Sequence, residues 1–538
     1  VTVLERPRAV APLVRDRRRW AWGLGAVALV LWSLAGTGAL TGDVLNPAGL
    51  SQAGRFAAGA VHPDLSGDLL AVLGGAALVT VAYAALGAGL AVVLGALGAV
   101  AVARTTWGRR RLGWTLTRGA LAVPRGLHEA VWGLLLVNVL GLDPWVGVLA
   151  IGIPYGAVTA KVFADLVDEV PRGGHDALRA AGASRSAAVL YGLLPPAAGG
   201  LLAYAFYRLE CAVRSAVVLG LIGAGGLGNQ LSLSFQSLRW PQVWTAVYAI
   251  ALLCLLADVG GRAVRRRLAA PAQAPAGVLR RDRVLVGAVA GVLVLVGWSA
   301  WYLALDVRTL VGARAREQVG HVLAAAWPPA VDGELLRRVV ALSVETLQMS
   351  VVAIAVALTG AVALSGVAAH PGPGAGPGRR VAGVAVRAVL LVLRAVPPPV
   401  WALVVLFVFL PGVLPGALAL GLYTLGVLGR LTAEVVEELD PRPRAALDAL
   451  GARPVGAWLV GTAPRAVGPT LAFALYRWEV AVRDSVLVGL LGAGGIGVLL
   501  SAETASFDWP AVATVLVAMV LLTLAVDLVS ARARSAVR

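Results

Sequence analysis

The chain has 538 residues, 59% of them hydrophobic and 14% charged, with apolar runs near or above the ~20 residues that cross a bilayer, which excludes a soluble globular core. The net charge of +17 does not point to nucleic acid, because the arginines gather between apolar runs, where they act as topology signals, and no soluble basic domain is left over. Neither a metal centre nor a built-in ATPase is expected: Cys211, Cys254 and the five histidines show no ligand spacing, and the only lysine, Lys161, precedes Val162 where a phosphate-binding loop needs Ser or Thr.

Membrane spans are predicted near residues 20–40, 69–103, 116–140, 145–164, 194–222 and 241–260, then near 283–304, 340–368, 385–410, 413–433, 463–491 and 510–530. The first follows a basic stretch, Arg15 to Arg19, as a signal peptide would, but an internal span after Arg283 mirrors it, so it reads as a membrane helix. The clusters Arg15 to Arg19, Arg104 to Arg111, Arg262 to Arg283, Arg379-Arg380 and Arg532/Arg534 all fall on one side, which places both termini in the cytoplasm of a multi-pass plasma-membrane protein. Residues 305–339 run against this trend, carrying Arg308, Arg314, Arg316, Arg337 and Arg338 on the other side, where an amphipathic helix lying on the outer face accommodates them. Pro271 and Pro275 mark a linker, and His370-Pro371-Gly372-Pro373-Gly374 a turn.

The chain repeats itself. Tyr207-Arg208-Leu209-Glu210-Cys211-Ala212-Val213-Arg214 returns as Tyr476-Arg477-Trp478-Glu479-Val480-Ala481-Val482-Arg483, an offset of 269 (476 − 207) that equals half the chain length. The same offset relates Gly182 to Gly451, Pro195 to Pro464, Trp132 to Trp401 and Trp240 to Trp509, so a whole unit is duplicated. The expectation is an all-α polytopic membrane protein of about twelve transmembrane helices in two six-helix repeats, residues 1–269 and 270–538. An even number of spans per half makes the repeats parallel, about an axis along the membrane normal.

After the fourth span of each half comes a polar, helix-prone segment: Asp176-Ala177-Leu178 leading to Gly182 and Pro195, and Ala445-Ala446-Leu447 leading to Gly451 and Pro464, at identical spacing. This reads as a short helix lying along the membrane, ended by the glycine, with proline opening the next span where its missing N–H costs nothing. One copy alone would suit an ordinary loop; two matched copies suit a knob that docks another protein. Here the chain resembles the permease subunits of bacterial ABC importers, whose cytoplasmic EAA loop docks on the ATPase. In the fifth span, Tyr-Arg-x-Glu-x-x-x-Arg followed by the glycine runs Gly223, Gly225, Gly226, Gly228 and Gly492, Gly494, Gly495, Gly497 is similar to the phosphonate-importer branch of these permeases, fused in tandem.

That resemblance implies a type I importer (MetI-like) permease fold, import of phosphonate or a related oxyanion such as phosphite or phosphate, two cytoplasmic ABC ATPase subunits and an extracytoplasmic phosphonate-binding protein. It implies no cofactor and no catalytic residue in this chain, with ATP and magnesium held on the partner ATPase. Asp176, Ala177, Gly182, Pro195, Ala445, Ala446, Gly451 and Pro464 become the coupling residues. The alternatives are a methionine- or osmoprotectant-type permease and, from another class, an ion-coupled secondary transporter.

Elementary energetics reach a compatible place. An ionised side chain in mid-membrane costs about 2.5–3.5 kcal/mol unless it faces protein or water. Glu210 with Arg214, and Glu479 with Arg483, lie four apart and can neutralise each other as purely structural pairs. An anion path competes with that reading: Arg208, Arg214, Arg477 and Arg483 outnumber Glu210, Glu479 and Asp484 by one, and Arg125 and Arg394 add two matched cations from the third span. The glycine runs cannot face lipid with unpaired backbone, so they are expected to form an external gate or a tight packing contact.

Overall fold

The computed structural model describes residues 17–38, 44–107, 111–268, 282–370 and 376–537. Arg15, the linker prolines Pro271 and Pro275, the turn from Pro371 to Gly374 and the expected boundary between residues 269 and 270 lie outside the described residues. Among the described residues the fold is helical, with no β-strand and one isolated antiparallel bridge between Leu45 and Phe409. By length and composition, seven helices among the described residues are long and apolar enough to cross a membrane, or ten if each of three bent pairs is one span. Two further expected spans correspond to the shorter apolar helix Trp20–Gly36 and to Ala463–Leu490, a helix that carries several charged residues.

The second span of each half is its longest helix, Gly67–Val102 and Gly333–Ala368, 36 residues in both. These two are related by 266 (333 − 67), three fewer than the offset elsewhere, so the connection around His370 in the second half is longer by three residues. Each packs along the fourth span, Trp145–Asp168 or Val413–Glu438. Small residues permit the close approach: a Cβ on Gly147 would sit 2.6 Å from the Tyr83 ring, and one on Gly87 2.7 Å from Ile151.

The third spans depart from the expected continuous helices. Residues 116–140 form Leu112–Gly126 and Glu129–Leu140, bent by 80°, and 385–410 form Pro377–Ala395 and Pro398–Val408, bent by 100°. Pro397, Pro398 and Pro399 explain the second break, since proline disfavours helix before it and removes donors within it. The first break contains Leu127 and His128, whose ring accepts a hydrogen bond from Ala130 N at 3.1 Å and so caps the outgoing helix. A tryptophan serves the carbonyls stranded by each break: Trp132 Nε1 donates to Pro124 O at 3.2 Å and Trp401 Nε1 to Leu393 O at 3.1 Å, positions related by the offset of 269.

The halves interlock. The helix Leu50–Gly59 and the strand-like residues before it lie on the broken third span of the other half, with Asn46 N donating to Val408 O at 2.8 Å. Phe407 from that span stacks on Phe235 at 5.6 Å between ring centres and meets Trp240 edge-on. In the second half, residues 305–339 do contain a short helix, Ala313–Ala325, with Arg314 and Arg316 exposed and Val322 and Ala325 packed against the core around Leu127 and Val131.

The glycine runs are tight turns joining the fifth span to a short helix that folds back, Gly226–Gln236 or Ile496–Ala505. Gly223, Gly225 and Gly226, and Gly492, Gly494 and Gly495, have φ between +76° and +100°, the left-handed region that side chains disfavour. Thr80 and Thr346 accept hydrogen bonds from Leu227 N (2.9 Å) and Ile496 N (2.8 Å), pinning both turns to the second spans. A Cβ on Gly226 would meet Thr80 Oγ1 at 2.5 Å, and one on Gly495 would meet Thr346 Oγ1 at 2.8 Å. Gly226→Ala or Gly495→Ala is therefore expected to destabilise by roughly 1–3 kcal/mol. A fall in thermal midpoint in detergent checks this, with Gly287→Ala, where nothing lies within 4 Å, as the neutral control.

Candidate functional site

The two charged helices, Leu194–Leu219 and Ala463–Leu490, start with Pro195 and Pro464 in their first turns and carry matched polar residues to the centre of the bundle. There they line a cavity of about 230 Å³, whose wall includes Tyr207, Arg208, Arg214 and Ser215 from one half and their mates Tyr476, Arg477, Arg483 and Asp484 from the other. Residues related by the repeat thus face one space, which places it on the approximate two-fold axis. The breaks in the third spans open onto the same cavity, with His128 and Glu129 on one side and Pro398 on the other. Two helix N-termini therefore converge on it, and their partial positive charge favours an anion.

Five arginines and two carboxylates line the cavity, counting Arg125, Arg208, Arg214, Arg477 and Arg483 against Glu129 and Asp484. The innermost arginines are held differently. Arg208, 9% exposed, sits 4.8 Å from the Tyr155 ring centre and 4.9 Å from that of Tyr204, and its Nε donates to Tyr204 Oη at 2.9 Å. Arg477, equally buried, lies 5.6 Å from the Tyr423 ring centre and 3.9 Å from Asp484, and its Nε and Nη2 have no hydrogen-bond partner. A buried guanidinium with unused donors is held ready for an acceptor that enters.

A polar network ties the halves together beside these arginines. Tyr155 Oη and Ser215 Oγ are 2.7 Å apart, Ser215 donates to Glu129 at 2.5 Å, and His128 Nε2 lies 3.6 Å from Glu129 and 3.4 Å from Asp484 of the other half. Because His128 Nδ1 accepts from Ala130 N, its ring proton is on Nε2, facing both carboxylates. Arg483 Nη1 reaches across to Arg125 O at 3.1 Å, and Arg125 pairs with Asp527 at 3.4 Å.

Three of the expected pathway residues lie elsewhere. Glu210 turns away from the cavity to Arg265 of the sixth span at 3.0 Å, with Arg214 at 3.6 Å, and Glu479 accepts from Arg534 at 2.5 Å. Arg483 does not pair with the Glu479 carboxylate but donates to its backbone oxygen at 3.2 Å. Arg394 joins Asp258 at 3.5 Å in a separate cavity. None of the eight glycines expected to form a gate lines the central cavity; Gly228 and Gly497 instead allow the folded-back helices to touch the carbonyls of Val217 and Val486. Sequence reasoning missed Tyr155, Tyr204, Tyr423, His128, Arg265 and Arg534; the last two sat in clusters read only as topology signals.

At the other end of the charged helices, the matched segments form pairs of short helices, Gly173–Ala180 with Arg185–Gly192 and Arg442–Ala449 with Pro454–Gly461. Gly182 (φ +86°) and Gly451 (φ +79°) end the first helix of each pair, while Ala183 N and Ala452 N return to Leu178 O and Leu447 O at 3.0 Å. No residue of Gly173–Ala180 or Arg442–Ala449 is buried, so Asp176, Ala177, Ala445 and Ala446 belong to protruding elements. Leu450, 84% exposed, stands beside Gly451.

Replacing Glu210 with Gln removes the counter-charge of a largely buried ion pair and is expected to destabilise by about 3 kcal/mol, with Glu210→Gln/Arg265→Gln recovering much of the loss. A double-mutant cycle of thermal midpoints in detergent measures it, and additive losses would show that the two side chains do not interact.

The sequence pattern of the binding-protein-dependent transport system inner membrane component family matches residues 91–270 and again 361–538. A phosphate-import permease of Mycolicibacterium smegmatis is 27% identical over 86% of this chain and 85% of its own length. A phosphite transport system permease of Stutzerimonas stutzeri is 32% identical over 45% of this chain and 86% of its own. A permease ascribed to a cryptic phosphonate transport system in Escherichia coli is 35% identical over 22% of this chain and 96% of its own. No solved structure matches. The tandem match, the helical fold and the apolar spans together make this a multi-pass membrane protein that belongs to the binding-protein-dependent transport system inner membrane component family.

Proposed function

We propose that the chain is the permease of an ATP-driven importer for phosphonate, phosphite or phosphate, with each half, 1–269 and 270–538, acting as one permease unit. The observation that carries the substrate class is the cavity on the two-fold axis, where Arg208 and Arg477 are buried and two Arg477 nitrogens lack partners. Planar guanidinium groups offer paired donors that match the oxygens of a phosphoryl group, and the helix N-termini at His128 and Pro398 add favourable field. The names of the relatives support the same class of solute.

In this reading both termini and the Gly182 and Gly451 segments are cytoplasmic, and each segment seats in one of two ABC ATPase subunits that hold ATP and magnesium. A binding protein delivers the anion to the opposite end. There the turns at Gly223–Gly228 and Gly492–Gly497 close the outer ends of the charged helices, the position of an external gate. Their hydrogen bonds to Thr80 and Thr346 favour opening by movement of whole helices over loosening of a flexible loop. Closure of the ATPases draws the coupling segments together and parts the charged helices outward; release resets them.

Reconstitution with the ATPases and binding protein in proteoliposomes tests this. Arg208→Gln/Arg477→Gln is expected to lower uptake of labelled phosphite or phosphate at least about tenfold, the worth of one or two charge-assisted hydrogen bonds, while the chain still inserts and binds the ATPases. Unchanged uptake would remove the cavity from the path. Gly182→Trp with Gly451→Trp is expected to break copurification with the ATPases or to uncouple ATP hydrolysis from uptake; intact binding and coupling would refute the docking assignment.

A further inference from the structure

Arg394, displaced from the substrate cavity, belongs to a second polar cavity of about 410 Å³ where the last span of the first half meets the third and fourth spans of the second. Its inner wall is unusual. One oxygen of Asp258, a side chain only 4% exposed, is shared by three guanidinium groups: Arg262 from the same helix, Arg430 at 3.3 Å and Arg394 at 3.5 Å. Beside Asp258 lies the Glu210 carboxylate, itself held by Arg214 and Arg265, so with Glu434 on Arg430 three carboxylates meet five guanidinium groups and the inner wall carries surplus positive charge. Nearer the mouth, Arg430 also meets Glu434 at 2.8 Å and Arg387 meets Glu437 at 2.7 Å. Across the whole cavity, four arginines face three carboxylates, with His370 beside them.

The remaining walls are apolar, formed by Leu255, Leu390 and Leu391 among others. The cavity lies near helix ends, since the second and fourth spans of the second half stop at Ala368 and Glu438, next to its lining residues. Basic pockets between helices at the membrane boundary, with apolar flanks, suit a phosphate whose substituent extends along the hydrophobic wall. The cavity is also asymmetric in composition. By the offset of 269, Asp258 and Arg394 return as the pair Asp527 and Arg125, but Arg430 is replaced by Lys161 and Arg262 by Ala531.

From this geometry we infer that the Asp258 cavity is an accessory site for a phosphate-bearing anion, distinct from the transport path and gripped by arginines of both halves. Arg262 and Arg394 with Arg430 supply the charge from opposite sides of the interface, so the bound group bridges the two permease units. The same chemistry is offered by the headgroup of an anionic phospholipid and by a free phosphorus oxyanion on that side of the membrane. Lys161 presents a compact ammonium without the paired donors of a guanidinium, and Ala531 presents no charge, so the mate of this cavity is expected to grip such a group less well.

Two measurements on the full chain separate the sources. Native mass spectrometry of protein released from phosphatidylcholine nanodiscs doped with phosphatidylglycerol reads the lipid. Thermal-shift titration with inorganic phosphate, in detergent free of anionic lipid, reads the free ion. Arg430→Gln, and Arg387→Gln at the more exposed mouth as a variant that spares the buried cluster, are expected to weaken one of these responses roughly tenfold, and Lys161→Gln to leave it unchanged. Loss of phosphatidylglycerol retention supports the site and assigns a lipid; loss of the phosphate response supports it and assigns a free ion. Retention and phosphate response both equal to those of the unaltered chain in Arg430→Gln and Arg387→Gln would overturn the proposal. Because Arg208 and Arg477 are intact in these variants, failure here leaves the central path standing.

Discussion

Charge without water governs this molecule. A guanidinium carried into a bundle of apolar helices needs a carboxylate, an aromatic face or a polar cavity, because lipid offers none of these. Three arginines of the fifth spans meet that need differently. Arg208 rests among tyrosines, Arg477 keeps near Asp484 and Tyr423, and Arg483 reaches the backbone of the other half. These needs bring the two charged helices to a common axis, and the cavity is what remains between them. The broken third spans serve the same end, since each break brings a helix N-terminus to that space.

The two acidic positions of the Tyr-Arg-x-Glu-x-x-x-Arg signature, Glu210 and Glu479, stabilise the outer faces of these helices. Each is bound by an arginine 55 residues further on, Arg265 and Arg534, so the sixth span is bolted to the fifth in both halves. This division of labour explains how intramembrane arginines can point into a cavity while their sequence neighbours remain neutralised. The carboxylates that do face the cavity, Glu129 and Asp484, occur once each and are bridged by His128, so the two-fold symmetry of the cavity wall is broken there.

Much was legible in the sequence because it rests on local spacing read twice. The repeat, the helical class, the short helices ended by Gly182 and Gly451, and the matched Arg208, Arg214, Arg477 and Arg483 all follow from periodicity and matched offsets. Partnerships across the bundle were not legible, since the i,i+4 spacing of Glu210 and Arg214 suggested a self-contained pair and Arg265 lies on another helix. The break at Leu127 has only Pro124, inside the incoming helix, to announce it, whereas Pro397 to Pro399 stand at the break of the second copy, where their flanking apolar residues imitate a continuous span. The glycine runs left a gate and a packing contact both open because composition cannot distinguish a loose hinge from a turn whose φ values and hydrogen bonds are specified.

The crossing of residues 44–59 onto Pro398–Val408, and of Ala313–Ala325 onto Glu129–Leu140, bears on how the polypeptide is made. During synthesis the first crossing segment emerges long before the surface that receives it, so Asn46 and Gly49 wait for hundreds of residues with part of their contacts unmade. The second segment meets a helix pair that has already been inserted. Biogenesis of the first half is thus completed by the second, and joining the two in one polypeptide guarantees that the awaited surface arrives in fixed ratio and at the same place in the membrane.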